Sequence, residues 1–342
     1  MQGGFRAARL LFAALAAMAV LLGLAVPAQA AFPGKNGRVV MAAFRDANDP
    51  ELYSIDTASG ASIRLTHDTR WDDEPAVSAD GAKIAWRKSS DIWVMDADGQ
   101  GQRPVFESRG GASDPAFFPD GRLVASVNLS PPDAVALYAM DLDGQNRIRL
   151  TGTDIDAHQA VVSPSGKKIA FTDFGTWPLP RVMLIDSDGS NPMVIDYGSA
   201  PDFSPDGRRI SYYGDEGNEG QWLADLEGHA RTRVGLARPR TPAIFSPDGT
   251  SLAYSAFAVD ECPAFCLWRY DLAGAYNAVL YRALPTDSPT RLSWQPIPGP
   301  RRADFKNSAQ FCRAEQAFWR DQFASRYGGG ANAFGKCVSS SN

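Results

Sequence analysis

Short runs in which apolar and polar positions alternate recur along the chain about every forty residues, each entered through the same kind of turn. Ser78-Ala79-Asp80-Gly81 precedes Lys83-Ile84-Ala85-Trp86, Phe118-Pro119-Asp120-Gly121 precedes Leu123-Val124-Ala125, and Ser163-Pro164-Ser165-Gly166 precedes Lys168-Ile169-Ala170-Phe171. Further copies are Ser204-Pro205-Asp206-Gly207 before Arg209-Ile210-Ser211-Tyr212 and Ser246-Pro247-Asp248-Gly249 before Ser251-Leu252-Ala253-Tyr254. A degenerate opening copy, Pro33-Gly34-Lys35-Asn36-Gly37, precedes Arg38-Val39-Val40-Met41. From Gly37 the turn glycines Gly81, Gly121, Gly166, Gly207 and Gly249 follow at steps of 44, 40, 45, 41 and 42 residues.

A second landmark alternates with the first. It is a strand ending in an acidic turn, as in Asp91-Ile92-Trp93-Val94-Met95-Asp96 before Ala97-Asp98-Gly99, and it returns around Asp141, Asp186, Asp225 and Asp271, with a first copy at Leu52-Tyr53-Ser54-Ile55-Asp56. Asp-Gly between alternating runs supplies the positive φ that a two-residue hairpin turn demands. Each landmark therefore predicts a β-hairpin, and six copies of each predict six units of four short strands. A four-stranded sheet buries its faces only by stacking on its neighbours around an axis, which predicts an all-β, six-bladed β-propeller. The repeated Ser-Pro-Asp-Gly-x-x-Ile-Ala pattern resembles the WD40-like repeat of the TolB-like propellers, also seen in the propellers of prolyl-oligopeptidase-type enzymes. The resemblance covers about residues 32–298, and it implies protein–protein interaction in the cell envelope.

Both ends of the repeat carry further signals. Arg291-Leu292-Ser293-Trp294-Gln295-Pro296 looks like the strand that elsewhere precedes a turn, yet no turn follows. Pairing of this strand beside the opening strand, 38–42, would close the ring and remove two free sheet edges. After Pro300 the period changes: Phe305, Ala309, Cys312, Gln316, Trp319, Phe323 and Tyr327 recur at helical steps, predicting an amphipathic helix over 304–327, capped by Asp304 and ended by Gly328-Gly329-Gly330. Its aromatic stripe is expected to dock on the propeller. At the other end, Arg6 and Arg9, an apolar stretch over 10–26 and Ala28-Gln29-Ala30 predict a cleavable secretion signal over 1–30. The division is thus 1–30 signal, 31–298 propeller and 299–342 disulfide-stapled helical tail.

Composition narrows the function. A formal net charge of −5 with no basic run excludes bulk attraction to nucleic acid or anionic lipid. The mature chain is expected to be a secreted or periplasmic monomer that does not span the membrane. Its four cysteines suit an oxidising compartment. Three connectivities are open; closeness in sequence favours Cys262 with Cys266 and Cys312 with Cys337 over a zinc site, since no histidine lies near either pair.

Candidate chemistry is sparse. No Gly-x-Ser-x-Gly elbow, His-Glu-x-x-His motif or phosphate-binding glycine loop is present, and the three histidines fall in different repeats. The acidic turns lack the closing glutamate of a calcium loop. No metal or cofactor is expected. Antiparallel connectivity sends both kinds of tight turn to one face and the longer connections, including 66–74, 128–134, 173–181, 214–221 and 256–266, to the other, where specificity would be written. There Trp71, Asp72, Asp73, Glu74, His158 and Trp177 are the candidates for contact with an envelope or extracellular protein, or a cell-wall glycan. The rival reading is a propeller enzyme, a lyase, lactonase or hydrolase acting on an extracellular carbohydrate or peptide. It would assemble His67 or His158 with acids such as Asp73 and Asp114, around a divalent metal if one binds.

Overall fold

The computed structural model describes residues 34–44, 49–107, 110–129, 134–175, 179–214, 219–227, 230–236, 241–257, 265–282, 289–300, 305–320, 323–327 and 332–341. The expected secretion signal, Trp177, His229, Cys262 and the expected cap Asp304 lie outside them.

The described strands form antiparallel sheets in chain order. The first joins β1 (Gly34–Ala43), β2 (Glu51–Asp56) and β3 (Ser62–Arg64) to the last strand, β23 (Pro289–Pro298), in the order β23-β1-β2-β3. Next come β4 (Asp72–Val77), β5 (Lys83–Lys88), β6 (Asp91–Asp96) and β7 (Arg103–Phe106), then β8 (Ala112–Phe117), β9 (Leu123–Val127), β10 (Ala136–Met140) and β11 (Ile148–Arg149). A seven-stranded run follows: β12 (Ala157–Val162), β13 (Lys168–Asp173), β14 (Arg181–Asp186), β15 (Met193–Phe203), β16 (Arg209–Gly214), β17 (Gly220–Asp225) and β18 (Arg231–Val234). The long strand β15 serves two ladders there, since Met193 to Tyr197 pair with β14 whereas Gly198 to Phe203 pair with β16. The last sheet is β19 (Ile244–Phe245), β20 (Ser251–Phe257), β21 (Phe265–Asp271) and β22 (Tyr276–Arg282).

The first strand of each unit packs on the first strand of the next. β23 touches β4, β4 touches β8, β8 touches β12, β12 touches β15, β15 touches β19, and β19 returns to β23, so the inner strands close a ring. The expected closure by the chain ends is present, with Val39, Val40 and Met41 opposite Trp294, Ser293 and Leu292. Apolar cores fill the spaces between neighbouring sheets. Val40, Ala42, Leu52 and Leu65 meet Val77, Ile84, Trp86 and Met95, and Val39, Met41 and Ile55 meet Ala253, Leu267 and Trp294. Each fully buried side chain of this size contributes about 1.5–3 kcal/mol.

The turns are longer than the two-residue hairpins read from Asp-Gly. Ser78 N donates to the Lys83 carbonyl, leaving a four-residue loop, and Asp96 N donates to the Gln100 carbonyl around a three-residue one. Serine organises the first kind: Ser78 Oγ donates to Asp80 Oδ1 (2.6 Å) and accepts from Lys83 N (2.9 Å), with the same pair at Ser204 and Ser246. Glycine is still required. Gly144 has φ 76°, and a Cβ there would stand 2.0 Å from the Val105 carbonyl oxygen of the preceding sheet. The opening copy is not a turn: residues 34–37 belong to β1, paired to β23 across a bulge between Asn36 and Val39.

The tail is shorter in helix than its periodicity predicts, and richer in elements. α1 (Ser308–Trp319) is capped by Asn307, whose side chain accepts from Gln310 N (2.9 Å), and it ends at Arg320, where φ is 48°. α2 (Phe323–Arg326) follows, and α3 (Ala333–Ser340), which no apolar period announced, brings Cys337 to Cys312 with a Cα separation of 5.9 Å. Cys266 is also disulfide-bonded. The stripe expected to dock on the propeller mostly makes a core of its own, joining Phe311, Cys312, Trp319 and Phe323 to Ala333 and Cys337. One contact with the ring is made by Lys35, whose ammonium lies 4.5 Å from the Phe318 ring centroid.

Candidate functional site at the channel mouth

The inner strands share a local distortion that positions their side chains. In β4, β8, β12 and β15 the ladder slips between Asp73 and Ala76, Ser113 and Ala116, His158 and Val161, and Ser199 and Asp202. At each slip one residue is left-handed: Glu74 (φ 55°), Asp114 (50°), Gln159 (57°) and Ala200 (53°). A bulge of this kind bends the strand and re-aims a side chain, and it leaves a backbone N–H without a ladder partner. Pro75, Pro115 and Pro201 follow three of these residues, where a missing N–H costs nothing.

All four lie four residues before the first residue of a turn, as does Pro242, and Arg291 holds the matching place in its turnless strand, four residues before Gln295. The Glu74 N–H is met by Asp73 Oδ1 beside it (2.7 Å), and the other three orphaned N–H groups are met from the neighbouring strand. Glu74 Oε2 accepts from Asp114 N (2.7 Å), the Asp114 carboxylate from Gln159 N, and Gln159 Oε1 from Ala200 N (2.9 Å). The belt stops where the next residue at this offset is Pro242, which has no N–H to satisfy. Ala200 has no acceptor to offer, and none is needed.

Charge gathers over part of this belt. Arg291 Nη1 lies 2.7 Å from Asp114 Oδ1, Arg87 Nη2 lies 3.2 Å from Glu74 Oε1 and 3.7 Å from Asp73 Oδ2, and His158 stands between Asp114 (Nδ1 to Oδ2, 3.8 Å) and Asp156 (Nε2 to Oδ1, 3.4 Å). Burial opposes ionisation of Asp114, yet Arg291 and His158 outweigh it and hold the carboxyl far below the usual carboxylate range. Burial would also lower His158, but its contacts with the Asp114 and Asp156 carboxylates push the imidazole above its ordinary value. Glu74 is pushed up by burial and by the Asp114 charge, against Arg291 and Arg87. The mouth thus gathers a fixed anion, a guanidinium and an imidazole whose protonated form its two acidic neighbours favour.

The inner strands enclose a cavity of about 160 Å³. Glu74, Gln159, Ala200 and Arg291 line it and are taken as its mouth; Ala76, Val161, Asp202, Ile244 and Ser293 also line it, in a layer two residues further along the inner strands toward the tight turns. Two deep side chains repeat one contact: Ser293 Oγ accepts from Val77 N (3.0 Å) and Asp202 Oδ2 from Phe245 N (2.7 Å), each binding the next inner strand. Burial pushes the Asp202 carboxyl up to about 7.

The candidates read from sequence separate accordingly. Asp72, Asp73 and Glu74 stand on inner strand β4, not on a rim loop. Asp72 is fully buried and accepts from Trp86 Nε1 (2.6 Å) with Lys88 Nζ at 3.5 Å, a structural network. Trp71 is partly exposed, edge-on to Phe44 at 5.4 Å. Asp73, Glu74, Asp114 and His158 do come together, whereas His67 is exposed beside Asp98 and Gln102, in a separate cleft. Arg291, Arg87, Asp156 and Asp202 were missed. The four-residue offset from the turn would have found Arg291, because its strand had been recognised as a turnless copy. Among the described residues no group of three or more His, Cys, Asp or Glu is placed to hold a metal.

No family model matches the chain. Among curated proteins it is 28% identical over 109 residues to an uncharacterized peptidase, YuxL, of Bacillus subtilis, a match covering 29% of this chain and 17% of that protein. It is 29% identical over 136 residues to the uncharacterized protein Atu1656 of Agrobacterium fabrum, covering 36% and 46%. The chain thus spans less than half the length of these relatives. Among solved structures it is similar to TolB from Acinetobacter baumannii (TM-score 0.64, 19% identity, 76% of this chain and 67% of that one) and to a putative TolB from Agrobacterium tumefaciens (0.57, 16%, 71% and 88%). An oligogalacturonate lyase from Vibrio parahaemolyticus also aligns (0.52, 15%, 73% and 77%). Repeat, four-stranded sheets, ring of inner strands and structural likeness agree, and the chain has the TolB-like β-propeller fold.

Proposed function

We propose that this chain is an exported, six-bladed, non-catalytic β-propeller that binds a protein partner in the cell envelope. In this reading residues 31–298 form the ring, counting the two halves of β15 in separate blades, and 299–342 form an appended helical tail. The observation that carries it is the belt of Glu74, Asp114 and Gln159. These side chains satisfy backbone N–H groups of the next inner strand, and their charges are matched by Arg87, Arg291 and His158, which describes a rigid recognition surface. Export is supported by the Cys312–Cys337 disulfide and by the signal pattern over 1–30.

The test is capture from an envelope fraction with the mature chain, with and without EDTA, beside the Glu74→Gln and Gln159→Ala variants. A specific partner recovered regardless of chelator, and weakened by the mouth variants, is the expected result. A second reading is favoured by the Asp114–His158–Asp156 arrangement, which could move a proton, and the fold is shared with an oligogalacturonate lyase. Saturable depolymerisation of an acidic oligosaccharide, lost in His158→Gln, would replace the binding reading.

A further inference from the structure

Among the described residues that line the cavity the acids are Glu74 and Asp202, and no side chain cation answers Asp202. Its oxygens accept from backbone, Phe245 N at 2.7 Å and Phe203 N, and no ion pair reaches it among the described residues. The charged side chains of the strands packed around it are engaged elsewhere. Arg291 on β23 faces Asp114, His158 on β12 stands between Asp114 and Asp156, and Arg209 on β16 lies over the Phe245 ring at 5.6 Å. The walls beside it are Ala76, Val161 and Ile244. A carboxylate held in such a site is either neutralised by a proton or matched by a cation that enters with its own apolar covering.

We propose that the channel is a binding site for a primary ammonium on an unbranched aliphatic stem, such as a lysine side chain of a partner, with Asp202 as its counter-ion. The stem suits the wall. Asp202 lies two residues below the mouth layer, about 7 Å along a strand, so a cation must cross apolar surface to reach it. The ammonium suits the acceptor. Lysine carries a compact point charge on a four-carbon stem, whereas a guanidinium fork needs both carboxylate oxygens in its own plane, and Asp202 already receives two backbone donors. This deepens the partner-binding reading and rests on it only for what carries the ammonium.

The test uses n-butylamine alone with the mature chain, so that its failure is separate from a failed partner capture. A primary alkylamine stays protonated from pH 6 to 8, as lysine does. With the carboxyl near 7, the ionised fraction sets the apparent affinity, and binding should be about tenfold tighter at pH 8 than at pH 6. Addition of amine at pH 6.5 should move the Asp202 carboxyl carbon resonance to its ionised position. Asp202→Asn keeps an acceptor for Phe245 N and should lose at least tenfold in affinity while its circular dichroism is unchanged. Binding that is equal in Asp202→Asn, equal for n-butanol, or undetectable in the folded parent overturns the proposal.

Discussion

Asp114 and Asp202 occupy facing arcs of one channel and are driven in opposite directions. Both are inner-strand carboxyls that accept a backbone N–H from the next strand. On the arc from β23 through β4 and β8 to β12, Arg291, Arg87 and His158 answer the acids, and Asp114 stays ionised. On the arc of β15 and β19 the offset positions are Ala200 and Pro242, no ion pair reaches Asp202 among the described residues, and its carboxyl is held toward the neutral form. A buried acid is thus defined by what the opposite wall supplies, not by its depth.

The comparison is broken most severely by Arg291→Met, which leaves Asp114 and Glu74 without their shared cation. Removing one partner of a buried pair costs about 3–5 kcal/mol, and urea unfolding at pH 7 should show a loss in that range. Asp202→Asn should act in the opposite sense. Because the folded pKa of Asp202 lies above its unfolded value, its contribution is complete at low pH and is lost as pH rises from about 4 to about 7. At pH 8 the variant should therefore be more stable than the parent by up to about 4 kcal/mol, at about 1.4 kcal/mol per pKa unit, with the difference vanishing near pH 4. Asp114 has the reverse sign: its folded pKa is depressed, so its stabilisation is complete above about pH 4 and is lost on further acidification. Asp114→Asn should flatten the acid limb of the stability profile below pH 4.

Ser293→Ala gives a smaller effect and isolates the contact that Ser293 and Asp202 share without any charge. Loss of the Val77 N bond should cost about 1 kcal/mol in thermal or urea unfolding, independently of pH. Ala200→Gly is the mildest change. At φ 53° alanine bears a left-handed penalty that glycine does not, and the variant should gain up to about 1 kcal/mol while the channel is unaltered. A loss there would mean that the quiet arc depends on the Ala200 methyl group for packing.

How much was legible divides along the same physical line. Turn chemistry and period-two alternation are local, so the strands, their hairpins and the pairing of 291–296 beside 38–42 followed from residue order, although the loops proved longer than Asp-Gly alone suggests. The meeting of Asp73, Asp114 and His158 was visible only as one combination among several, and it came with His67, which stands apart. In the tail, aromatic spacing announced α1, but α3 was hidden because its helical stripe of Phe334, Cys337 and Val338 spans little more than one turn. Its place follows from the disulfide and a shared small core.

What the amino-acid order determined by itself is the unit: a turn that needs glycine, an inner strand at a fixed offset before it, and a strand whose apolar positions require a neighbouring sheet. What only the tertiary structure decided is which residues at that offset face one another, because the ring sets Arg291 beside Glu74 and Asp114 although it lies at the far end of the chain. The physical reason is that a repeat prescribes similar local geometry in its copies from local residues alone. The field at any one side chain is the sum over copies far apart in sequence, and it exists only once the ring has closed.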